Sequence, residues 1–334
     1  MKAAVLTKYD KKSPTIEIKE LDLPTLAADE ILVDVSVAGV NPLDNLIAHG
    51  ELKLVTPYEL PQVMGNEFVG IVKQVGQNVK AFKVGDRVFG RMPLAKIGAF
   101  ATHLTVEQSA VAKVPEYLTD EQAATVPLTA LTAMQAFELL DTKPGQTLFI
   151  SGGTGSFGMM AIPLAVARGL KVITSGSSKM EEQVKALGVT RFIDYRTEDY
   201  ATTLHDIDLV IDTLGGKELE KQLKILKKGG SLVSLRGMPN KEFAKQMGFG
   251  FFKQLLFGLV GAKIDRLAKK EDKNYYFIFV KENGPQLAEA AEILAKMKIE
   301  PTVGPVYPLE QTSAALAQVA KGGNAGKVLI KIDL

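Results

Sequence analysis

From residue 145 onward, short apolar runs alternate with longer stretches of helical periodicity, and this alternation restricts the fold more than any other feature. TLFIS (147–151), LKVIT (170–174), RFID (191–194), DLVID (208–212) and SLVSLRG (231–237) are the apolar runs. Between them lie a glycine loop with an apolar helix, then SKMEEQVKALG (178–188), then KELEKQLKILKKGG (217–230). Strands that are apolar on both faces and separated by helices bury themselves in a parallel sheet covered on each side. Local signals mark the helix ends. Ser178 with Glu181 three residues on predicts a capping box, and Gly188 is placed as a C-terminal glycine. Leu219, Leu223 and Leu226 predict one apolar stripe, closed by Gly229.

The first 110 residues have a different texture. MKAAVLT, IEIKEL, ILVDVSVAGV, FVGIVKQVG and DRVFG are β-branched runs separated by Pro24, Asn41-Pro42, Gly76 and Gly85-Asp86, which reads as an antiparallel β region. Thr119–Leu140 turns helical. YYFIFV (275–280) predicts one more strand, QLAEAAEILAKMK a further helix, and GKVLIKI a last strand. The organisation expected is a β-rich domain built from residues 1–125 and 286–334, with an α/β domain of residues 126–285 inserted between.

Composition excludes several classes of function. The chain has 334 residues with a formal net charge of +2, which leaves no electrostatic footprint for nucleic acid. It has no cysteine, so disulfides and thiolate metal sites are out. That suits a reducing compartment, and a cytoplasmic protein is expected. The first twelve residues lack the apolar core of a signal peptide. The greasiest stretch, GFGFFKQLLFGLVGAKI (248–264), is short for a membrane span and carries Lys253. It predicts a buried helix or an interface segment, and no membrane partner is expected.

FISGGTGSFG (149–158) places Gly153, Gly155 and Gly158 in G-x-G-x-x-G spacing. Alone, that spacing also fits an ordinary turn. Here it directly follows a strand and opens a helix, the context that dinucleotide chemistry requires. The glycines permit a tight turn, close approach to a pyrophosphate and close helix–strand packing, and the phosphate meets free N–H groups at a helix N-terminus. Pro163 lies inside this helix and is expected to bend it. An NAD site carries Asp or Glu at the end of the second strand. In this chain that strand runs into SGSSK (175–179), whose hydroxyls and lysine suit a 2′-phosphate. NADPH is therefore the cofactor expected, against the plainer reading of a Ser-rich cap with a solvated lysine.

Taken in order, VAGVNPLDNLIAHG (37–50), PQVMGNEFVGIVKQVG (61–76), VGDRVFG (84–90), AATVPLTALTA (123–133), SGGTGSFG (151–158), IDYR (193–196), DLVIDTLGG (208–216) and GKVLIKI (326–332) carry a family pattern. The chain resembles the medium-chain dehydrogenase/reductase superfamily, in its zinc-independent quinone oxidoreductase (zeta-crystallin-like) branch. The resemblance spans essentially the whole chain. It implies a GroES-like catalytic domain and a Rossmann nucleotide-binding domain, doubly wound around a parallel sheet. In the family's zinc alcohol dehydrogenases a cysteine stands at the position of Asn41, a histidine at that of Asn66, and the third ligand near Leu128. None of these ligands is present, and the four-cysteine structural lobe is missing. His49, His103 and His205 are not paired at ligand spacing, so no metal is expected.

A simple alcohol is hard to oxidise without a Lewis acid, whereas a quinone or enone is already electrophilic. The resemblance thus implies hydride transfer from NADPH to a small electrophilic acceptor. It also implies Asn41 and Thr132 as catalytic residues, and Pro42, Leu43 and Asp44 beside the nicotinamide. Asn41-Pro42 equally fits a plain turn, and Asp44 a structural role. Gly153, Thr154, Gly155, Ser156, Phe157 and Gly158 are expected to take the pyrophosphate. Gly176, Ser178 and Lys179 take the 2′-phosphate, and Tyr195 lies near the adenosine phosphate. Thr213, Leu214, Leu235, Arg236 and Gly237 complete the site at the sheet's carboxyl edge. An enoyl-thioester reductase and a non-catalytic NADPH sensor are the competing readings. Strand 275–280 is expected to pair across a two-fold axis into a homodimer.

Overall fold

The computed structural model describes residues 1–333. It divides into two compact units, Met1–Leu131 with Lys281–Leu334, and Thr132–Val280.

The chain enters the first unit through β1 (Lys2–Lys8), β2 (Thr15–Glu20), β3 (Glu30–Gly39), helix α1 (Pro42–Ala48), β4 (Gln62–Val63), β5 (Glu67–Val75), β6 (Arg87–Arg91), β7 (His103–Glu107) and β8 (Val111–Lys113). Helices α2 (Asp120–Ala124) and α3 (Pro127–Leu139) follow. The helical stretch expected over 119–140 is thus two helices. Proline disfavours a helical conformation in the residue before it, and the break falls at Val126-Pro127. The second unit runs through β9 (Thr147–Ile150), α4 (Ser156–Ala167), β10 (Lys171–Gly176), α5 (Glu181–Ala186), β11 (Arg191–Asp194), α6 (Tyr200–Thr203), β12 (Ile207–Asp212), α7 (Gly216–Ile225), β13 (Leu226–Ser234), α8 (Lys241–Gln246), α9 (Phe251–Lys270) and β14 (Asn274–Phe277). The chain returns to the first unit with α10 (Gly284–Met297), β15 (Val303–Pro308), α11 (Thr312–Lys321) and β16 (Lys327–Lys331).

In the first unit a seven-stranded sheet has the order β15-β16-β3-β5-β6-β8, with β7 also on β3, and a three-stranded sheet has the order β2-β1-β4. β3 is the spine, antiparallel to β5, β7 and β16. Val33, Val35 and Val37 are buried along it, and Phe68, Phe100, Met64 and Ile31 fill the core. Opposed residues of an antiparallel pair point to one face, so the pairing of Glu67 with Arg91 puts two charged side chains on the same side.

In the second unit six parallel strands lie in the order β11-β10-β9-β12-β13-β14. Numbered from β9, that order is 3-2-1-4-5-6, the Rossmann arrangement, and its switch point lies between β9 and β12. Phe149, Val210, Leu232 and Tyr275 are among its core residues.

Three expectations need correction here. β14 stops at Phe277 rather than Val280, because its register partner Ser234 is the last residue of β13 and nothing remains to pair with. α7 stops at Ile225. Leu226 already opens β13, and Gly229 sits within that strand at φ +72°. The Ser178–Glu181 box does not form: Ser178 lies in a 3-10 turn, and α5 starts at Glu181 with no side-chain cap. The apolar stretch 248–264, expected as a buried helix or an interface segment, has one face of each kind. Along α9, Phe257, Gly261, Ile264 and Ala268 face inward, while Phe251, Phe252, Leu255 and Leu259 are exposed.

Candidate active site

In the second unit the predicted cofactor residues gather at the carboxyl ends of the strands. β9 ends at Ile150, and the loop reaches α4 with Gly155 as its N-cap. The tight turn belongs to Gly152, one residue ahead of the motif, at φ +70°. Gly153 donates its N–H to the Ser175 carbonyl at 2.8 Å, and a Cβ there would lie 2.0 Å from Thr174 Oγ1. At Gly158 a Cβ would lie 2.4 Å from Gly153 Cα. These two glycines are demanded by packing. Gly155 is not: its φ is −80°, and an added Cβ would meet only the Gly152 carbonyl oxygen, at 3.4 Å. The space beside it is left open by the protein, as close approach of a phosphate to this backbone requires. Ser156 and Phe157 form the first turn of α4, which continues through Pro163.

Thr154 packs on Gly176, where a Cβ would lie 2.3 Å from its Cγ2. Ser178 and Lys179 follow, both exposed. The sequence shows no carboxylate at the end of β10, but the fold brings one from the neighbouring strand. Gly176 pairs with Asp194, whose carboxylate accepts from the Arg196 N–H at 3.1 Å and from the Ser178 hydroxyl. Those bonds hold Asp194 below the usual carboxylate range. Tyr195 is exposed, with the Arg196 guanidinium 5.6 Å from its ring centre. At the next strand end, Thr213 donates its N–H to Ser151 Oγ at 2.9 Å and its hydroxyl to the Ser151 carbonyl at 2.7 Å. Leu214 is exposed.

Asp212, which sequence reasoning missed, organises the loops beyond. Fully buried, it accepts from the N–H groups of Leu214 and Gly215 at 3.0 Å, from Gln222 at 2.9 Å and from the Ser234 hydroxyl at 2.6 Å. Ser234 in turn accepts from Arg236 N–H at 3.2 Å. Leu235 donates its N–H to the Asp212 carbonyl, and Gly237 leaves room for the Tyr275 hydroxyl. One acidic side chain therefore ties together the ends of β12 and β13 and the start of α7.

In the first unit a buried polar cluster forms around the N-terminus of α1. Asn41 caps the helix with Pro42 and Leu43 in its first turn, and Asp44 Oδ2 accepts from Asn41 N–H at 2.8 Å. Asp44 Oδ1 accepts from the Asn66 amide at 2.7 Å. Burial, reinforced by the Glu67 carboxylate, pushes the Asp44 carboxyl up to about 7 against the pull of Asn41, Asn66 and Lys327. Glu67 Oε1 accepts from Asn41 Nδ2 at 2.6 Å and pairs with the Lys327 ammonium. Its Oε2 accepts from Leu128 N–H at 2.8 Å. Arg91 Nη1 lies 3.5 Å from Glu282, and burial lowers the guanidinium's pKa. Thr132, the first residue of the second unit, lies on α3, partly buried, and is not part of this cluster.

Asn41, Asn66 and the Leu128 N–H, the positions of the zinc ligands in zinc alcohol dehydrogenases, thus converge on two carboxylates. They do not fit a zinc ion. Amides are poor zinc ligands, both oxygens of Glu67 are already bonded, and no metal-holding group of three His, Cys, Asp or Glu exists among the described residues.

Comparison with known proteins agrees with the fold. A family described as "Alcohol dehydrogenase GroES-like domain" matches residues 27–116, and one described as "Zinc-binding dehydrogenase" matches residues 187–330. A "Probable zinc-binding oxidoreductase, mitochondrial" from Arthroderma benhamiae is 32% identical over 75% of this chain and 74% of its own. The chain belongs to the medium-chain dehydrogenase/reductase superfamily. Within it, this dehydrogenase/reductase lies in the quinone oxidoreductase branch. It is 28% identical to a 2-methylene-furan-3-one reductase from Solanum lycopersicum, over 99% of this chain and 79% of the relative. A quinone oxidoreductase from Thermus thermophilus, solved also in complex with NADPH, superposes with a TM-score of 0.75 at 25% identity, over 99% of this chain and 100% of that one. The β-rich region is thus GroES-like and the parallel sheet Rossmann-like.

Proposed function

We propose that this chain is an NADPH-dependent oxidoreductase that reduces quinones or α,β-unsaturated carbonyls without a metal. The observation that carries the reading is the state of the Asn41–Asn66–Leu128 cluster. Its amide and N–H donors are bonded to Glu67 and Asp44, and the cluster offers amides where zinc would take thiolate or imidazole, which supports a reading without a Lewis acid. An acceptor for this site must therefore carry its own electrophilic carbon, as quinones and enones do. The names of the tomato and Thermus relatives point to the same two acceptor classes.

In this reading the α/β domain, residues 126–285, holds the cofactor, and NADPH when bound supplies the hydride. Gly153 to Gly158 take its pyrophosphate, Thr213 and Leu214 border it at the sheet's carboxyl edge, and Gly176, Ser178, Lys179 and Tyr195 take the adenosine end and its 2′-phosphate. Leu235, Arg236 and Gly237 border the cofactor beyond β13. By the family resemblance, Pro42, Leu43, Asp44 and Thr132 are assigned to the nicotinamide, and Asn41 and Thr132 are the candidate catalytic residues. Asn41 acts by orientation, since its Nδ2 points at Glu67 and, at 3.4 Å, at the Gly39 carbonyl.

A homodimer is proposed, because β14 is a sheet edge, the α9 helix packed on it exposes apolar residues, and such surfaces are normally covered. No helix among the described residues is long and apolar enough to cross a membrane. The cytoplasm is proposed as the compartment on the cysteine-free composition. The test is a panel of quinones and enones against purified, chelator-treated protein with NADPH. NADPH absorbance should fall with at least one acceptor and be indifferent to chelation. Tight NADPH binding without turnover of any acceptor would instead favour a sensor.

A further inference from the structure

We propose that the Glu67–Lys327 ion pair is the positioning device of the candidate active site, with Lys327 as its fixed internal cation and Glu67 as the group that sets the orientation of the Asn41 amide. The inference rests on the reading of Asn41 as an acceptor-side residue.

Glu67 opens β5 and Lys327 opens β16. Both are buried, at 0% and 4% exposure. Both oxygens of the carboxylate are engaged. Oε1 takes Asn41 Nδ2 at 2.6 Å together with the ammonium, and Oε2 takes Leu128 N–H at 2.8 Å. Lys327 also reaches the Thr125 carbonyl at 3.5 Å. Gly39 makes room for the arrangement, since a Cβ there would lie 2.3 Å from Glu67 Oε1. Arg91 faces Glu67 across the ladder, yet its Nη1 bonds to the Met92 carbonyl and lies near Glu282. Contact neutralisation of Glu67 therefore falls to Lys327.

Stability gives a poor account of such a pair. Burying two charges costs several kcal/mol of desolvation per ion, and apolar replacements of similar volume are often neutral or stabilising. The bonds do one specific thing. An ionised carboxylate can only accept, so the Asn41 amide must turn its nitrogen toward Glu67 and its oxygen away. A glutamine at position 67 both donates and accepts, and would allow either orientation. Misplacing a positioning group by about 1 Å costs on the order of 100-fold in rate.

The test is a double-mutant cycle of Glu67→Gln, Lys327→Met and both together, in the full chain. Each single variant should lose at least about 10-fold in kcat with KM for the acceptor and Kd for NADPH changed less than about threefold. The double variant carries no unpaired buried charge, so its thermal midpoint should return toward wild type while kcat stays as low as in Glu67→Gln. Recovery of kcat along with stability would reduce the pair to a structural role and overturn the proposal. An activity-independent readout covers a wild type that turns over no acceptor tried. In 15N-labelled protein the Asn41 side-chain NH2 signals, assigned by their loss in Asn41→Asp, should be shifted and protected from exchange, and should collapse to ordinary values in Glu67→Gln. Unchanged signals would also overturn it. Absence of wild-type turnover with these signals intact would sink the reductase reading alone.

Discussion

Asp44 shows how one residue can be placed by local sequence and yet take its chemistry from afar. Its position three residues after Asn41 lets it close the start of α1, a relation legible in the sequence. Its titration is not legible, because that depends on burial and on Glu67 and Lys327. An ordinary Asp at 3.8 is here raised to about 7. The native state therefore keeps this proton through a pH range in which the unfolded chain has lost it. Stability from Asp44 is complete below pH 3.8 and is lost as pH rises through about 7. The gap is worth roughly 4 kcal/mol at most. Denaturant unfolding of wild type and Asp44→Asn at several pH values should show the wild-type advantage shrinking by up to that amount between about pH 4 and pH 8, then levelling. A difference that is flat with pH would mean that Asp44 titrates normally. Glu67, Lys327 and Arg91 escaped the sequence reading for a related reason. Each sits inside an unremarkable strand motif, and only β5–β6 and β3–β16 pairing brings them to one face.

At the scale of elements, the strand–helix alternation was readable because apolar runs and helical periods are local. The parallel sheet of the second unit follows from it. Element ends were harder. α7 gives way to β13 without a loop, and Gly152, which lies outside the G-x-G-x-x-G spacing, takes the positive φ. The junction of β10 with β11 matters most for function. SGSSK alone presents hydroxyls and one lysine, but the register of Gly176 with Asp194 adds a carboxylate bonded to Ser178. A 2′-phosphate at this junction would be attracted by Lys179 and Arg196 and opposed by Asp194. Lys179→Ala should weaken NADPH binding about 10-fold and leave NADH within about twofold, as loss of one exposed phosphate contact predicts. Asp194→Asn should tighten NADPH several-fold. Titration of both nucleotides against the three proteins decides it, and equal losses for NADPH and NADH in Lys179→Ala would remove the 2′-phosphate from this junction.

For the whole molecule the open matter is what covers the far edge of the parallel sheet. Among the described residues β14 pairs only with β13, so one side of its backbone forms an open edge. In the same unit the outward face of α9 carries Phe251 at 73%, Phe252 at 84% and Leu259 at 70% exposure. Contiguous apolar surface of this kind marks an interface. The sequence located the greasy segment but could not say which of its residues turn inward, because phenylalanines and leucines lie all round the first three turns. Phe257, Gly261, Ile264 and Ala268 are the ones buried within the chain. The proposed dimer places a second copy across a two-fold axis, where an isologous interface would draw on these two features. Light scattering should therefore return twice the mass of the 36.1 kDa chain. Phe252→Glu with Leu259→Glu should shift it to one chain while keeping NADPH affinity, since neither residue belongs to the cradle. These are exposed positions in the single chain, so their replacement by charge should leave its thermal stability measured as monomer within about 0.5 kcal/mol. A wild type of single-chain mass at micromolar concentration would leave the sheet edge and α9 uncovered and the dimer proposal wrong.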